Sequence, residues 1–509
     1  MTFQQLLQGA EVLSQSGNAG VAGVEYDSRR VRPGTVFVAM KGESSDGNRF
    51  IDQAIAAGAV GVVTDSASEI PRPSVAWAQV VHGRRALARL SANFYKRPAE
   101  RIANTGITGT NGKSTTAFLI ESILQAAGRK TALVGTIEYH VAGKVLPAPH
   151  TTPEALELNQ LLAEGLSLGV TEAVMEVSSH ALEQQRVFGI PFDVAVFSNL
   201  TRDHLDYHHT MEEYFRAKQV LFEGCGTDPP RAAVLNIDDE YGRQLLKFSK
   251  SKSAAVFSYG MTSGDFHAES MEITPRGTRF EMVTPNGTIA MWSPLIGKVN
   301  VYNVLAASAA GYARNCSSEA IAKGIFDLAC VPGRFERVDC GQPFTVVVDY
   351  AHTDDALRNL TGLARDFVVQ AGLKGKVITL FGCGGDRDRA KRPLMGEAAG
   401  SGSDFVILTS DNPRSEDPLA IMNDAQVGLQ KSGAKYSMEP DRGKAIALAL
   451  QQAAPGDIVL LAGKGHEKVQ ILKDGTVPFD DVEVARENLK ASGYECESAA
   501  NADAKKKTA

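Results

Sequence analysis

The run GITGTNGKSTTAFLIESILQAAG, Gly106 to Gly128, has the residue types and spacing of a polyphosphate cradle. A short apolar strand precedes it, and Ala117, Ile120, Ile123, Leu124 and Ala127 mark one face of a helix that should stop at Gly128. Gly109 and Gly112 let backbone N–H groups approach phosphate oxygens, and the helix N-terminus adds a favourable dipole. Lys113 can reach the terminal phosphates, Ser114 can ligate magnesium, and Thr110, Asn111 and Thr115 complete the loop. The usual spacing would place its first glycine at 107, which is Ile107, so the loop is a variant. A glycine turn without a nucleotide is the plainer alternative.

Elements that could position such a loop alternate along the whole chain, which predicts α/β layers. With 509 residues, about three domains are expected. A short helix, VFVAM, FIDQAIAAGA and VGVVTD give strand, helix, strand in a first section, 1–90. The phosphate loop opens a central P-loop-type section, 91–333, which includes the helical NVLAASAAGYA and ends near CVPGRFERV, where Pro332 and Gly333 begin a turn. In a third section, 334–495, TVVVDYAH, VITLFGCGG, FVILTSDNPR and DIVLLAGKGHE are apolar runs that each end in a polar or glycine-rich turn. This predicts a Rossmann-like, doubly wound sheet with chemistry at the carboxyl ends of its strands. Residues 496–509 lack apolar periodicity and read as a disordered tail.

Composition narrows the function classes. The chain is 43% hydrophobic and 22% charged, as in soluble globular proteins, and its net charge of −6 with a basic run only at Lys505 to Lys507 argues against a nucleic-acid partner. The N-terminus lacks a basic segment followed by an apolar one, and no apolar run reaches membrane-spanning length, so a cytoplasmic enzyme without membrane insertion is expected, and a monomer. Six scattered cysteines predict reduced thiols and no zinc site.

TGTNGKSTT resembles the ATP loop of the Mur ligases and the related folylpolyglutamate synthases. DSR (27–29), HTTP (150–153), MEVSSHALEQQR (175–186), SNLTRDHLDYH (198–208), YFRAKQVLF, NVYN, PGRFERV, DYAHT, GCGGDRDRAKRPLM, DNPR and AGKGHE follow in the order of the Mur ligases that add the third peptide residue. The resemblance implies ATP and Mg2+ as cofactors, UDP-MurNAc-L-Ala-D-Glu and meso-diaminopimelate as substrates, and the three sections as precursor-binding, ATPase and amino-acid-binding domains. The lysine-adding ligase and the folylpolyglutamate synthase are the alternatives. Two departures stand out: Asp354 where the family commonly has proline, and GESSDG (42–47) where members often carry His and Gln.

Amide formation from a carboxylate needs a leaving group, which transfer of the γ-phosphoryl of ATP to the D-glutamate side chain would provide. Lys113, Glu176, His204 and Lys218 are the catalytic candidates, and Ser114, Glu176, His204 and Lys218 the magnesium set. Glu176 and His204 lie at or just after the apolar strands EAVMEV and FDVAVFSNL; a solvated carboxylate and a structural histidine are the alternatives. On pattern alone Lys218 is a surface lysine on an amphipathic helix. The resemblance instead implies a lysine carbamylated by CO2. An ammonium about 5 Å from a divalent ion would be repelled by on the order of 7 kcal/mol at a dielectric near 20, whereas a carbamate is attracted.

By the same resemblance, Asn303, Arg334, Asp349 and His352 contact the nucleotide, with loop capping as the alternative. Tyr26, Ser28, Glu43, Ser44, Ser45, Thr151, Thr152, Ser178, Gln184 and Arg186 fall to the UDP precursor. DNPR (Asp411, Asn412, Pro413, Arg414) is by itself a proline turn. In the family frame it selects the amino acid: Arg414 takes the distal carboxylate of diaminopimelate, Glu467 and the Gly463 carbonyl take its ammonium, and Arg387 takes the other carboxylate.

Overall fold

The structure is a computed structural model that describes residues 1–42, 45–67, 74–274, 276–370 and 374–496. Three sheets carry the elements predicted from the apolar runs. The first has five strands in the order 12–16, 76–80, 61–64, 35–39, 23–25, parallel except at 12–16. Thr35–Ala39, Ile51–Ala56 and Gly61–Thr64 are the strand, helix and strand expected there.

The second sheet has eight strands, ordered 255–259, 232–236, 194–197, 103–108, 172–176, 131–134, 138–141, 144–147. The first six run parallel and are followed by an antiparallel pair. Its inner strands Glu172–Glu176, Val194–Phe197 and Ala232–Asn236 are buried along their whole length, as expected for a sheet covered on both faces. On one face the helix Lys113–Ala126 packs with Lys298–Ala313 and Ser318–Asp327 around Ile107, Ile120, Ile123, Val196 and Val304. On the other, Leu158, Met175, Phe197, Leu221 and Phe222 form a second core. A three-stranded antiparallel sheet, 267–274, 277–284 and 287–293, lies between the eight-stranded sheet and the helix Lys298–Ala313 in sequence.

The third sheet has six strands, ordered 336–338, 345–349, 458–462, 377–383, 405–410, 436–439, parallel except at 336–338. The four apolar runs singled out in the sequence are its four central strands. Their carboxyl ends at Asp349, Cys383, Ser410 and Ala462 therefore open side by side. Asp354 occupies the first turn of the helix Asp354–Gln370, behind a Thr353 hydroxyl that accepts the Ala356 N–H (3.2 Å). Proline is well suited to the first helical position, and a carboxylate there gains from the helix dipole, so the departure from the family pattern is compatible with the same helix start.

One expectation is corrected. Cys340 and Cys496 form a disulfide, across a sequence separation of 156, whereas reduced thiols were expected throughout. The helix Asp481–Ala491 packs near the strand Glu336–Val338, and the turns that follow each element bring the two sulfurs together. Scattered spacing hid a pairing made by tertiary structure. Cys225, Cys316 and Cys383 are buried thiols outside this disulfide. Of the expected tail only Cys496 is described; residues 497–509 lie outside the described residues.

Candidate active site

The phosphate loop joins the strand Ala103–Thr108 to the helix Lys113–Ala126. Gly109 (φ +145°) and Gly112 (φ +84°) are needed for shape and space alike: a Cβ on Gly109 would lie 1.9 Å from Ser198 Oγ, and one on Gly112 2.4 Å from Asn303 Oδ1. The Thr110 N–H donates to the Asn199 carbonyl (2.8 Å) and the Asn111 N–H to Asn199 Oδ1 (2.9 Å), which fixes the loop from the next strand. Lys113 Nζ folds back on the carbonyls of Gly109 (3.1 Å) and Thr110 (2.8 Å). Burial holds this amine below its ordinary range, with Glu176 opposing.

A cavity of about 280 Å³ opens over this loop. It is lined by residues 110–115, Thr151, Glu176, Ser178, His204, Asn303, Arg334, Asp349 and His352 among the sequence candidates. Arg334 Nη2 donates to Ser114 Oγ (3.2 Å), and its guanidinium lies over the Tyr350 ring (4.8 Å). Asp349 accepts N–H groups of Phe335 (2.7 Å) and Ala351 (2.8 Å), and burial pushes its carboxyl up. Glu176, 1% exposed at the end of its strand, accepts from the Thr136 N–H (2.8 Å) and hydroxyl (3.0 Å). His204 adopts a left-handed conformation (φ +54°) beside Asp203 (3.4 Å).

Lys218 departs from the surface position its helical pattern predicted. On the helix Met211–Glu223 it is 1% exposed, its Nζ donates to the Gly109 carbonyl (2.9 Å), and it sits 4.4 Å from the Tyr214 ring centroid. Burial and then Lys113 hold this amine well below its ordinary range. The helix is amphipathic, but this lysine lies beneath the phosphate loop.

A second cavity of about 360 Å³ lies at the carboxyl ends of the third sheet and is lined by Arg387, Asp411, Asn412, Arg414, Gly463 and Glu467. Asp203, His204, Tyr350 and His352 line both cavities. Arg414 (φ +52°) donates to the Gly385 carbonyl (2.8 Å), and Arg387 to the Asp386 carbonyl (2.9 Å). Neither guanidinium forms an ion pair among the described residues. Burial and then the neighbouring Arg387 hold Arg414 below its ordinary range. Pro413 shapes the turn without lining the cavity; its carbonyl would be 1.9 Å from a Cβ on Gly385.

The precursor candidates are more dispersed. Thr151 and Ser178 line the phosphate cavity; Thr152 donates to the Glu176 carbonyl (2.7 Å). Arg186 pairs with Glu154 (3.0 Å) and donates to Gln184 Oε1 (2.8 Å). Tyr26 and Ser28 belong to the first section and line neither cavity: Tyr26 donates to Glu157 (3.1 Å) and Ser28 to Gln53 (3.3 Å). Ser45 accepts the Gly42 N–H at its carbonyl (2.9 Å), whereas Glu43 and Ser44 lie outside the described residues. Thr136, Asp203, Lys391 and Asp355 were not singled out from sequence. Asp355 accepts from Asn111 Nδ2 (2.8 Å) and so ties the third section to the phosphate loop. Asp203 and Lys391 stood within quoted motifs; Thr136 and Asp355 carried no local signal.

Three family models match: "Mur ligase family, catalytic domain" over residues 20–95, "Mur ligase middle domain" over 107–311, and "Mur ligase, glutamate ligase domain" over 333–465. The chain is 56% identical to the UDP-N-acetylmuramoyl-L-alanyl-D-glutamate--2,6-diaminopimelate ligase of Solibacter usitatus (strain Ellin6076), over 93% of this chain and 94% of the relative. It is 45% identical to the enzyme of that name from Geobacillus thermodenitrificans (strain NG80-2), over 94% and 96%. A solved structure bearing the same name superposes with a TM-score of 0.67 at 33% identity, covering 97% of this chain and 99% of the other. With a phosphate loop, a neighbouring cavity rich in charged side chains and similarity along nearly the whole length, the chain belongs to the Mur ligase family.

Proposed function

We propose that this enzyme uses ATP to join meso-diaminopimelate to the D-glutamate side-chain carboxylate of UDP-MurNAc-L-Ala-D-Glu, in the cytoplasmic synthesis of peptidoglycan precursors. The observation that carries the reading is the pair of guanidiniums without carboxylate partners, Arg387 and Arg414, beside Glu467 in a cavity that shares a wall with the phosphate-loop cavity. Two cations and one carboxylate complement an amino acid with two carboxylates and a distal ammonium. Lysine would leave Arg414 facing an ammonium, and an unpaired buried charge costs several kcal/mol, or discrimination of about 10³-fold.

ATP would lie over residues 109–115, its base and ribose toward Asn303, Arg334, Asp349 and His352. Lys113 and the helix N-terminus would neutralise charge as the γ-phosphoryl passes to the glutamate carboxylate, giving ADP and an acyl phosphate. The amine of diaminopimelate, held by Arg387 and Arg414, would attack the acyl carbon; the tetrahedral intermediate would lose a proton and expel phosphate. Residues 1–90, with Tyr26, Ser28 and Ser45, would anchor the UDP end. Thr151, Thr152, Ser178, Gln184 and Arg186 would hold the sugar and peptide, residues 91–333 carrying the ATPase and 334–495 the amino-acid site.

Magnesium takes oxygen donors and retains water and phosphate ligands, so few protein ligands suffice. The Ser114 hydroxyl and the Glu176 carboxylate, both on the phosphate cavity, fit that requirement, although among the described residues no group of three or more His, Cys, Asp or Glu could hold a metal. His204 would stand beside them. Bound there, the ion would offset phosphate charge. Lys218 as an ammonium would oppose a cation; its burial favours the neutral amine, which adds CO2 and releases a proton to become an anion.

The test is phosphate release from ATP with the UDP dipeptide precursor and either meso-diaminopimelate, L-lysine or no amino acid. Release only with diaminopimelate, with formation of the tripeptide, is expected. Release with lysine alone would overturn the reading of Arg414, and release with neither would overturn the ligase reading.

A further inference from the structure

Lys464 has no exposed surface, and its ammonium lies against side chains that line the second cavity. It follows Gly463, two residues past the strand Ile458–Ala462, and reaches across to the turn after the strand Phe405–Ser410. Its Nζ approaches Asp411 Oδ1 (3.5 Å), Asn412 Oδ1 (3.1 Å) and Glu467 Oε2 (3.1 Å). Asn412 in turn donates through Nδ2 to the same Glu467 oxygen (2.9 Å). One buried cation thus binds three side chains from the two loops that form the cavity wall.

We propose that Lys464 is a positioning residue that sets the charge preference of the amino-acid site, an inference that rests on the reading of this cavity as the diaminopimelate site. Asp411 and Glu467 bring two negative charges to the wall, and Lys464 removes one. This three-residue cluster is left with a single net negative charge, matched to one distal ammonium, while the guanidiniums of Arg387 and Arg414 stay available for two carboxylates. Because Asn412 and Lys464 both occupy Glu467 Oε2, the other carboxylate oxygen is directed to the ligand. Without the ammonium, the excess negative charge attracts a more cationic amino acid and competes for Arg414, and the two loops lose their shared anchor.

The test compares wild type, Lys464→Met and Lys464→Met/Asp411→Asn, assaying phosphate release and tripeptide formation with meso-diaminopimelate and with L-lysine. In Lys464→Met the KM for diaminopimelate should rise by about tenfold or more, and the ratio of kcat/KM for diaminopimelate over lysine should fall by about as much, with the KM for ATP within about twofold of wild type. Neutralising the surplus carboxylate in the double variant should recover part of that ratio. A Lys464→Met enzyme that keeps the wild-type ratio, or a double variant no better than the single, overturns the proposal. A uniform loss toward both amino acids and ATP would mark Lys464 as merely structural. Failure of wild type to use diaminopimelate would instead overturn the site reading itself.

Discussion

Gly135→Ala should slow the chemical step while leaving the enzyme folded and able to bind its amino acid. Gly135 follows the strand Thr131–Val134, which pairs with Glu172–Glu176, and a Cβ built on it would lie 2.5 Å from Glu176 Oε1. Ordinary contact begins at 3.4 Å, so the carboxylate must retreat by about 0.9 Å. It has no easy retreat, because Oε1 accepts from the Thr136 N–H (2.8 Å), Oε2 from the Thr136 hydroxyl (3.0 Å), and the residue is 1% exposed. A displacement of that size at a charge-positioning group costs about 10²-fold in kcat, near 2.7 kcal/mol of barrier. Crowding in the fold itself should cost about 1–3 kcal/mol of stability. Steady-state phosphate release with all three substrates, beside a thermal unfolding scan, separates the two effects. Arg387 and Arg414 belong to another sheet, so the KM for diaminopimelate should stay near wild type. A folded Gly135→Ala enzyme with kcat within about threefold of wild type would refute the role given to Glu176.

Arg414→Met should raise the KM for diaminopimelate by about 10²-fold or more, and Arg414→Lys by less, since a lysine keeps the charge but not the fork; initial rates against diaminopimelate concentration decide this, and an unchanged KM would remove Arg414 from the distal carboxylate. Lys218→Ala should lose most activity and regain part of it with added short-chain carboxylates, measured as phosphate release; full activity of that variant in CO2-free buffer would exclude a carbamate. A third outcome concerns stability against pH. Burial alone would lower the His140 imidazole, but hydrogen bonds to Glu121 (2.6 Å) and Glu138 (2.9 Å) outweigh it and hold the group up to about 9, against 6.5. A raised folded-state value stabilises fully below pH 6.5, and the gain is lost as pH rises through 9, with an upper bound of about 3 kcal/mol. The difference in unfolding midpoint between wild type and His140→Gln should therefore shrink between pH 6.5 and pH 9.5, and a constant difference across that window would show that the two carboxylates do not hold the proton.

What could be read from the sequence was whatever a contiguous stretch of chain determines. Strand, glycine turn and helix around Gly109 and Gly112 are adjacent in sequence, so the phosphate loop was visible, and four apolar runs with polar ends translated directly into four neighbouring parallel strands. Side chains whose environment is built by distant segments were not visible in this way. Lys218 reads as a solvated helix lysine until the Gly109 carbonyl, 109 residues away in sequence, is placed above it. Cys340 and Cys496 are unremarkable until the helix Asp481–Ala491 packs near the strand Glu336–Val338. Gly135 and Lys464 show a further limit: each sits beside a residue that sequence reasoning did select, Glu176 or Glu467, and each acts by restricting where that carboxylate can go. A sequence motif names the group expected to meet the substrate; the space and countercharge that aim it come from neighbours, Gly135 at the end of the adjacent strand and Lys464 three residues before Glu467. Substitutions at Gly135 or Lys464 should therefore alter kcat or selectivity while Glu176 and Glu467 themselves remain in place.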